Sequence, residues 1–169
     1  ALARPVPTVL DADGLNLFAA HGISAAGPLV VTPHVAEAAR LLDRDVAAVQ
    51  QDRPGAVRDL AERVRGVAVL KGAGTLIGAW RGAQPRLLGV CAEGNPGMAS
   101  AGMGDVLSGV LGGLLGQGLD PEQAALAGVC LHGAAGDLAA GELGQRSLLA
   151  TDLVGALVKI LAAEARGWA

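Results

Sequence analysis

The sequence predicts an α/β fold, in which helices cover both faces of a mostly parallel sheet. Short apolar runs of strand length recur along the chain, and stretches with helical periodicity separate them. Runs that are apolar throughout are typical of strands buried on both faces. Strands of this kind that alternate with helices indicate parallel pairing through crossover connections. The 169 residues are enough for one domain with a substantial core.

The predicted elements follow one another in short alternation, each bounded by Gly, Pro, Asp or Asn. The second strand is closed by Pro33, and a long helical region is interrupted near Pro54-Gly55. The predicted strands are residues 6–10, 29–32, 67–70, 76–80 (a hairpin partner of the third) and 85–90. The predicted helices are residues 15–20, 34–42, 45–65, one that begins shortly before residue 106, 121–140, and a last one whose apolar face includes Leu153 and Ala165.

Composition and charge exclude several classes of protein. Half of the residues are hydrophobic, which excludes a disordered chain or linker. The net charge of −3 and an aromatic content of 2% give no reason to expect a nucleic-acid partner. The longest uncharged run after Asp105, residues 106–119, is shorter than the roughly 20 residues that span a bilayer, so no membrane partner is expected. Asp11 and Asp13 exclude a signal peptide, and we expect a cytoplasmic protein.

The two cysteines, Cys91 and Cys130, form no Cys-x-x-Cys motif. We expect them to be reduced, buried thiols, as is usual in a cytosolic protein.

The central stretch, residues 94–109, predicts an anion site at the start of a helix. Asn95-Pro96-Gly97 is turn chemistry, and an apolar helical run begins near Val106. A glycine-rich entry to a helix leaves backbone N–H groups unpaired, and these groups suit a phosphate. Asp105 falls in the first turn, where the helix dipole stabilises a carboxylate. Two alternatives stay open: a close helix–strand crossing at Gly102-Met103-Gly104, and an ordinary first-turn acid.

Three further polar segments come directly after predicted strands: Asp11-Ala12-Asp13, Pro33-His34 with Glu37 beside it, and Lys71-Gly72-Ala73-Gly74-Thr75. Ligands of open α/β sheets bind beyond the carboxyl ends of the strands, so these segments and the central stretch point to one site. The Lys precedes its glycines, which excludes a Walker A loop. The alternatives are a capped turn at Asp11, a surface His34, and a hairpin turn at residues 71–75, although a turn alone would not explain Lys71.

Together these motifs resemble the C-terminal dehydratase domain of the bacterial NAD(P)H-hydrate repair enzymes, within the ribokinase-like superfamily. The resemblance covers nearly the whole chain, and its most specific part is the central stretch. It is carried by residues 10–16, 32–37, 70–75 and 95–109, with weaker support from residues 132–137.

The resemblance implies an ADP-dependent lyase, or an ATP-dependent one as in some relatives. It would remove water from NAD(P)H hydrate, restore NAD(P)H, and release phosphate and AMP. Asp105 would be the catalytic base and contact the substrate, His34 would contact the hydrated dinucleotide, and Glu37 would hold Mg²⁺ through water. The implied anion hole consists of the backbone amides of Ala101, Gly102, Met103 and Gly104. The implied nucleotide-binding residues are Lys71, Gly72, Ala73, Gly74, Thr75 and Gly104.

The resemblance also bears on the extent of the domain. Residues 1–169 are expected to form one ribokinase-like dehydratase domain that lacks its N-terminal part, so the piece alone would be unstable or need a partner chain. A homo-oligomer is expected, and fusion to an NAD(P)H-hydrate epimerase domain is compatible with the resemblance. The alternative function is a small-molecule kinase of the same superfamily, acting on a hydroxymethylpyrimidine, thiazole or pyridoxal-type alcohol.

Overall fold

The computed structural model describes residues 3–22 and 25–167. Side chains are described as far as Ala163, so the predicted place of Ala165 on an apolar helix face lies outside this part. The strands are β1 (Thr8–Leu10), β2 (Leu29–Val31), β3 (Val67–Leu70), β4 (Thr75–Arg81) and β5 (Gln84–Cys91). The helices are α1 (Asp13–His21), α2 (Val35–Leu42), α3 (Val46–Gln51), α4 (Arg53–Val64), α5 (Met103–Gly116), α6 (Pro121–Leu143) and α7 (Ala150–Gly167).

The described strands form one five-stranded sheet in the order β1-β2-β3-β4-β5. β1, β2 and β3 are parallel, and the tight connections after β3 and β4 make the last two pairings antiparallel. Helical crossovers join the parallel strands, which is the arrangement that parallel pairing requires. The predicted α/β fold is confirmed, and its sheet is mixed because the β3–β4–β5 meander follows the parallel half.

Helices cover both faces of the sheet, as the apolar strands predict. Alternate residues of each strand enter different cores, because successive side chains point to opposite faces. Val31, Ala68 and Leu70 pack with α1 to α4, whereas Val67 and Val69 pack with α5 and α6. A third cluster joins α7 to α6 and to Met103 at the start of α5. The carboxyl ends of β1, β2 and β3 therefore open between two helical layers.

The predicted helical region over residues 45–65 is interrupted earlier than Pro54-Gly55. The break between α3 and α4 lies at Asp52, whose carboxylate accepts a hydrogen bond of 2.8 Å from the Gly55 amide. Pro54 lies in the first turn of α4, where the missing N–H removes no helical hydrogen bond. The interruption was thus predicted correctly, but the proline begins the second helix rather than breaking it.

Helix α6 is long and apolar enough, by length and composition alone, to cross a membrane, with a mean hydropathy of 1.2 in its best window. Forty-four per cent of that window is buried within the fold. A side chain at Gly128 would lie 2.8 Å from Leu111 of α5, so the small residues of α6 serve close helix packing. Packing accounts for the apolar character, as in a core helix.

We expect Leu60→Ala to destabilise the protein by about 2–5 kcal/mol, because Leu60 is fully buried between α4 and the sheet. Urea denaturation at neutral pH measures the loss. The matched control is Leu17→Ala on α1, whose side chain is 55% exposed and should cost less than about 1 kcal/mol. Equal losses for the two variants would contradict the packing described here.

Candidate active site

An ion pair between Asp11 and Lys71 lies at the carboxyl ends of β1 and β3. Lys71 Nζ is 2.8 Å from Asp11 Oδ1, and the two side chains are only 21% and 12% exposed. Ser108 of α5 donates a hydrogen bond of 2.7 Å to Asp11 Oδ2. The pair therefore joins two strands and the central helix, which brings together three of the segments that the sequence indicated.

The ion pair keeps Asp11 ionised. Partial burial alone would raise the pKa of its carboxyl group, but hydrogen bonds from Lys71 and Ser108 and the charge of Lys71 outweigh that effect. The pKa of Asp11 consequently lies below its ordinary value of 3.8.

Helix α5 begins beside this pair with unpaired backbone donors. Gly102 precedes the helix with a φ of 84°, a conformation that favours glycine. Within the described part of the chain, the amides of Ala101, Gly102, Gly104 and Asp105 have no hydrogen-bond acceptor. The Met103 amide differs from them, because it donates a long bond of 3.4 Å to the Ser100 carbonyl. The predicted start of this helix is correct. Its free donors are the groups that the predicted anion site requires.

Gly104 lies where α5 approaches the ion pair closely. A Cβ atom at this position would lie 3.2 Å from Lys71 Nζ and 3.6 Å from Asp11 Oδ2. The close contact is therefore with the side chains that follow β1 and β3, and not with a strand backbone as the crossing alternative expected. Asp105, the next residue, is exposed in the first turn of α5.

The segment that leads into α5 is fixed by Asp137 of α6. Asp137 accepts hydrogen bonds of 2.9 Å from the Gly94 amide and from Asn95 Nδ2. Asn95 Oδ1 in turn accepts a bond of 3.0 Å from the Gly97 amide, which closes the Asn-Pro-Gly turn. The weaker motif at residues 132–137 thus has a definite purpose, since its last residue orients the turn.

Gly136 and His132, in the same motif of α6, also contact the segment that leads into α5. Met98 fills the space that a side chain at Gly136 would occupy. His132 Nε2 lies 2.9 Å from the Met103 carbonyl, so that nitrogen carries the proton. Burial lowers the pKa of His132, and the charge of Lys71 lowers it further against the opposing hydrogen bond. The ring of this partly buried histidine therefore has a hydrogen-bond partner within the fold.

The loop after β3 has the conformation that its glycines predict. Gly72 and Gly74 have φ values of 141° and 64°, and Thr75 Oγ1 donates to the Gly72 carbonyl at 3.0 Å. Arg53 of α4 donates to the Ala73 carbonyl at 2.5 Å and to the Leu70 carbonyl at 3.3 Å. Sequence reasoning missed Arg53, because it begins a helix and does not follow a strand.

His34 and Glu37 form a capping box at the start of α2. His34 Nδ1 accepts from the amides of Ala36 and Glu37, at 3.1 and 3.3 Å. Glu37 Oε2 accepts from the His34 amide at 2.8 Å, and Oε1 lies 3.4 Å from His34 Nε2. The Lys71 amide donates a hydrogen bond of 2.9 Å to the Pro33 carbonyl. The capping box at His34 therefore begins one residue after a backbone contact with the loop that follows β3.

The predicted contact of Glu37 with Mg²⁺ through water stays a prediction. In this structure Glu37 is buried, its Oε2 caps α2, and its Oε1 lies beside His34 Nε2. The exposed ring of His34 remains available to a ligand, because 52% of that side chain faces solvent.

A sequence model of the family described as NAD(P)H-hydrate dehydratase matches residues 1–159 of the chain. The chain belongs to the NAD(P)H-hydrate dehydratase family. This confirms the resemblance inferred from the motifs, and the fold agrees with it. The ADP/ATP-dependent NAD(P)H-hydrate dehydratase of Bacillus subtilis, co-crystallised with ATP and Mg²⁺, superposes with a TM-score of 0.82 and 31% identity. That match covers 96% of this chain and 57% of the Bacillus chain.

Other members of the dehydratase family are closer in sequence. The bifunctional NAD(P)H-hydrate repair enzyme Nnr of Escherichia coli K12 is 50% identical over 155 residues, covering 92% of this chain and 29% of that enzyme. The ADP-dependent (S)-NAD(P)H-hydrate dehydratase of Neisseria meningitidis is 47% identical over 138 residues, covering 78% and 45%. The chain thus spans less than half the length of these two relatives.

We expect Asp11→Asn to lower the free energy of unfolding by about 1–3 kcal/mol at pH 7, because it leaves Lys71 unpaired in a largely buried place. Since folding lowers the pKa of Asp11, the stability that its charge supplies is present above pH 3.8 and is lost as pH falls through the lowered value. Denaturant unfolding between about pH 7 and pH 2 measures the difference from wild type, which should shrink at the acid end.

The control for this prediction is the variant Asp11→Asn/Lys71→Met. If the two groups interact, the double variant loses less stability than the sum of the single variants. Additive losses, or a difference that does not change with pH, would contradict the pairing.

Proposed function

We propose that the protein containing this chain dehydrates NAD(P)H hydrate with ADP as co-substrate, restoring NAD(P)H and releasing phosphate and AMP. The observation that carries this proposal is the start of α5. There, unpaired amides and the Lys71 ammonium group lie around Gly104, the residue directly before Asp105. Membership of the dehydratase family supports the same reaction.

The proposed reaction begins with a phosphoryl transfer. The exposed carboxylate of Asp105 takes the proton of the ring hydroxyl, whose oxygen attacks the β-phosphorus of ADP while AMP leaves. The C–O bond of the resulting phosphate ester then breaks, inorganic phosphate departs, and loss of a ring proton restores the dihydronicotinamide. Phosphoryl transfer depends mainly on positioning and charge stabilisation, which the start of α5 can supply.

The amides of Ala101, Gly102 and Gly104, and that of Met103 once it releases the Ser100 carbonyl, would stabilise the charge that develops on the transferred phosphoryl group. One preorganised donor of this kind is worth about 3–4 kcal/mol. Lys71 adds a positive charge beside Gly104, and its pairing with Asp11 holds the ammonium group in place.

The nucleotide would lie against Gly104 and the loop of residues 71–75. Arg53 stabilises this loop by hydrogen bonds to the carbonyls of Leu70 and Ala73. His34 would contact the hydrated dinucleotide with its exposed ring. Mg²⁺ would be held by the phosphates of the nucleotide and by water, because such sites use few protein ligands. No step above is assigned to a metal ion.

The wider assembly is also proposed. Because the Escherichia coli relative is named as bifunctional, we propose fusion to an NAD(P)H-hydrate epimerase domain in a cytoplasmic protein. Helix α7 exposes the apolar residues Val154, Val158 and Leu161. A second copy of the chain that packs on these side chains would bury them, which supports a homo-oligomer.

The central test is the restoration of NAD(P)H absorbance from NAD(P)H hydrate by the full-length protein with ADP and Mg²⁺. We expect Asp105→Asn to lower the rate about 10²–10⁴-fold without loss of ADP binding, because it removes the base and keeps the shape. Asp45→Asn, at an exposed cap of α3 without a side-chain bond, is the matched control and should leave the rate unchanged.

Two results would contradict the proposed reaction, and a third would contradict only the role of Asp105. A wild-type protein that restores no NAD(P)H with ADP or ATP is not a dehydratase of this kind, and accumulation of a stable phosphorylated alcohol would favour the kinase. Full activity of Asp105→Asn would remove Asp105 from the mechanism and leave the reaction itself intact.

We expect Arg53→Lys to weaken ADP binding about tenfold, because a lysine ammonium cannot bond both carbonyls of the β3 loop with the fixed fork of a guanidinium. Isothermal titration of ADP into the full-length protein measures the change. Arg58→Lys, an exposed position on the same helix, should bind ADP like wild type. Equal affinities for all three proteins would show that Arg53 does not organise the loop.

A further inference from the structure

A cluster of two thiols and a carboxylate lies outside the residues that the proposed mechanism uses. Atoms Sγ of Cys91, Sγ of Cys130 and one carboxylate oxygen of Glu93 all lie within 4.8 Å of one another. Cys91 Sγ is 2.9 Å from Glu93 Oε2. The expectation of two buried thiols is wrong for Cys130, which is exposed.

The fold brings these residues together from distant parts of the chain. Cys91 is the last residue of β5 and is buried, and Glu93 follows it as the chain turns towards the central stretch. Cys130 lies on α6, one turn before Gly133. A side chain at Gly133 would lie 2.8 Å from Glu93 Cβ and 3.0 Å from its backbone, so this glycine lets Glu93 rest directly on α6. The juxtaposition is therefore fixed by backbone packing.

The donor set selects the kind of ion. Two thiolates and one carboxylate are typical ligands of Zn²⁺ and other thiophilic divalent cations, whereas Mg²⁺ and Ca²⁺ prefer oxygen alone. With Zn–S distances of about 2.3 Å, two sulfurs on one tetrahedral ion lie about 3.8 Å apart, a spacing within the present limit of 4.8 Å. Cys130 and Glu93 are exposed, so an ion can enter from solvent, and water can complete the coordination.

We propose that Cys91, Glu93 and Cys130 bind one Zn²⁺ ion, with a water molecule as the fourth ligand. Each thiol gives up its proton when its sulfur binds, so uptake of one ion releases two protons and changes no oxidation state. The bound ion links the end of β5, the segment before Gly94 and helix α6. It thereby stiffens the approach to the turn that Asp137 holds.

The test titrates Zn²⁺ into reduced, metal-free, nucleotide-free full-length protein in competition with a chromophoric chelator. We expect the wild-type protein to bind one more Zn²⁺ ion per chain than the Cys130→Ser variant. The affinity of the variant for Zn²⁺ at this site should be lower by at least about 100-fold. Glu93→Gln should weaken binding about tenfold or more. Glu62→Gln, an exposed carboxylate of α4, is the matched control and should bind like wild type.

A second measurement identifies the ligands. Cd²⁺ should give thiolate-to-metal charge-transfer absorption in wild type that Cys130→Ser lacks, and Zn²⁺ should raise the unfolding temperature of wild type only. Because Cys130 is exposed, the metal-free variant should unfold at the wild-type temperature and keep the wild-type dehydratase rate. The proposal is overturned by equal Zn²⁺ binding in wild type and Cys130→Ser, by absence of charge transfer, or by a Cys91–Cys130 disulfide that persists under reduction.

Discussion

The arrangement of the site depends on the largely buried ion pair between Asp11 and Lys71. Two charges removed from water are stable only when they compensate each other and find further hydrogen bonds, and here Ser108 supplies one of these bonds. This requirement ties the ends of β1 and β3 to the first turns of α5. Gly104 belongs to the same contact, because a Cβ atom there would lie 3.2 Å from the Lys71 ammonium group. Ion pair and helix start are therefore one structural unit.

The other side of this unit is held by α6. Asp137 fixes the turn at Gly94 and Asn95, Met98 fills the notch at Gly136, and His132 bonds to the Met103 carbonyl. These contacts keep the segment before α5 from collapsing onto the amides that face the proposed phosphate. An anion site built from backbone donors needs such support, because its donors contribute most when they are already in place before the ligand arrives.

The sequence was sufficient to predict the local features of this fold. Continuous apolar runs predicted the buried strands, and Asn95-Pro96-Gly97 with the following glycines predicted where α5 begins. Both depend on neighbouring residues alone. The pairing of Asp11 with Lys71 joins residues 60 positions apart, and only the parallel register of the strands creates it. The roles of Ser108 and Arg53 were missed for the same reason, since neither residue follows a strand.

A different limit applies to His34 and Glu37. Their spacing correctly predicted that they share one turn, but not that each would satisfy backbone donors of the other. The capping box gives both residues a local structural role, and it leaves the ring of His34 exposed to solvent. Cys91 and Cys130 show the converse case, because residues without any sequence motif come together through the packing of β5 against α6.

The most direct test is a crystal structure of the full-length protein with ADP. We expect a terminal phosphate within hydrogen-bond distance of the Gly102 and Gly104 amides, with Lys71 still paired to Asp11 and the nucleotide against residues 71–75. A phosphate bound elsewhere, with the amides at the start of α5 facing only water, would contradict it.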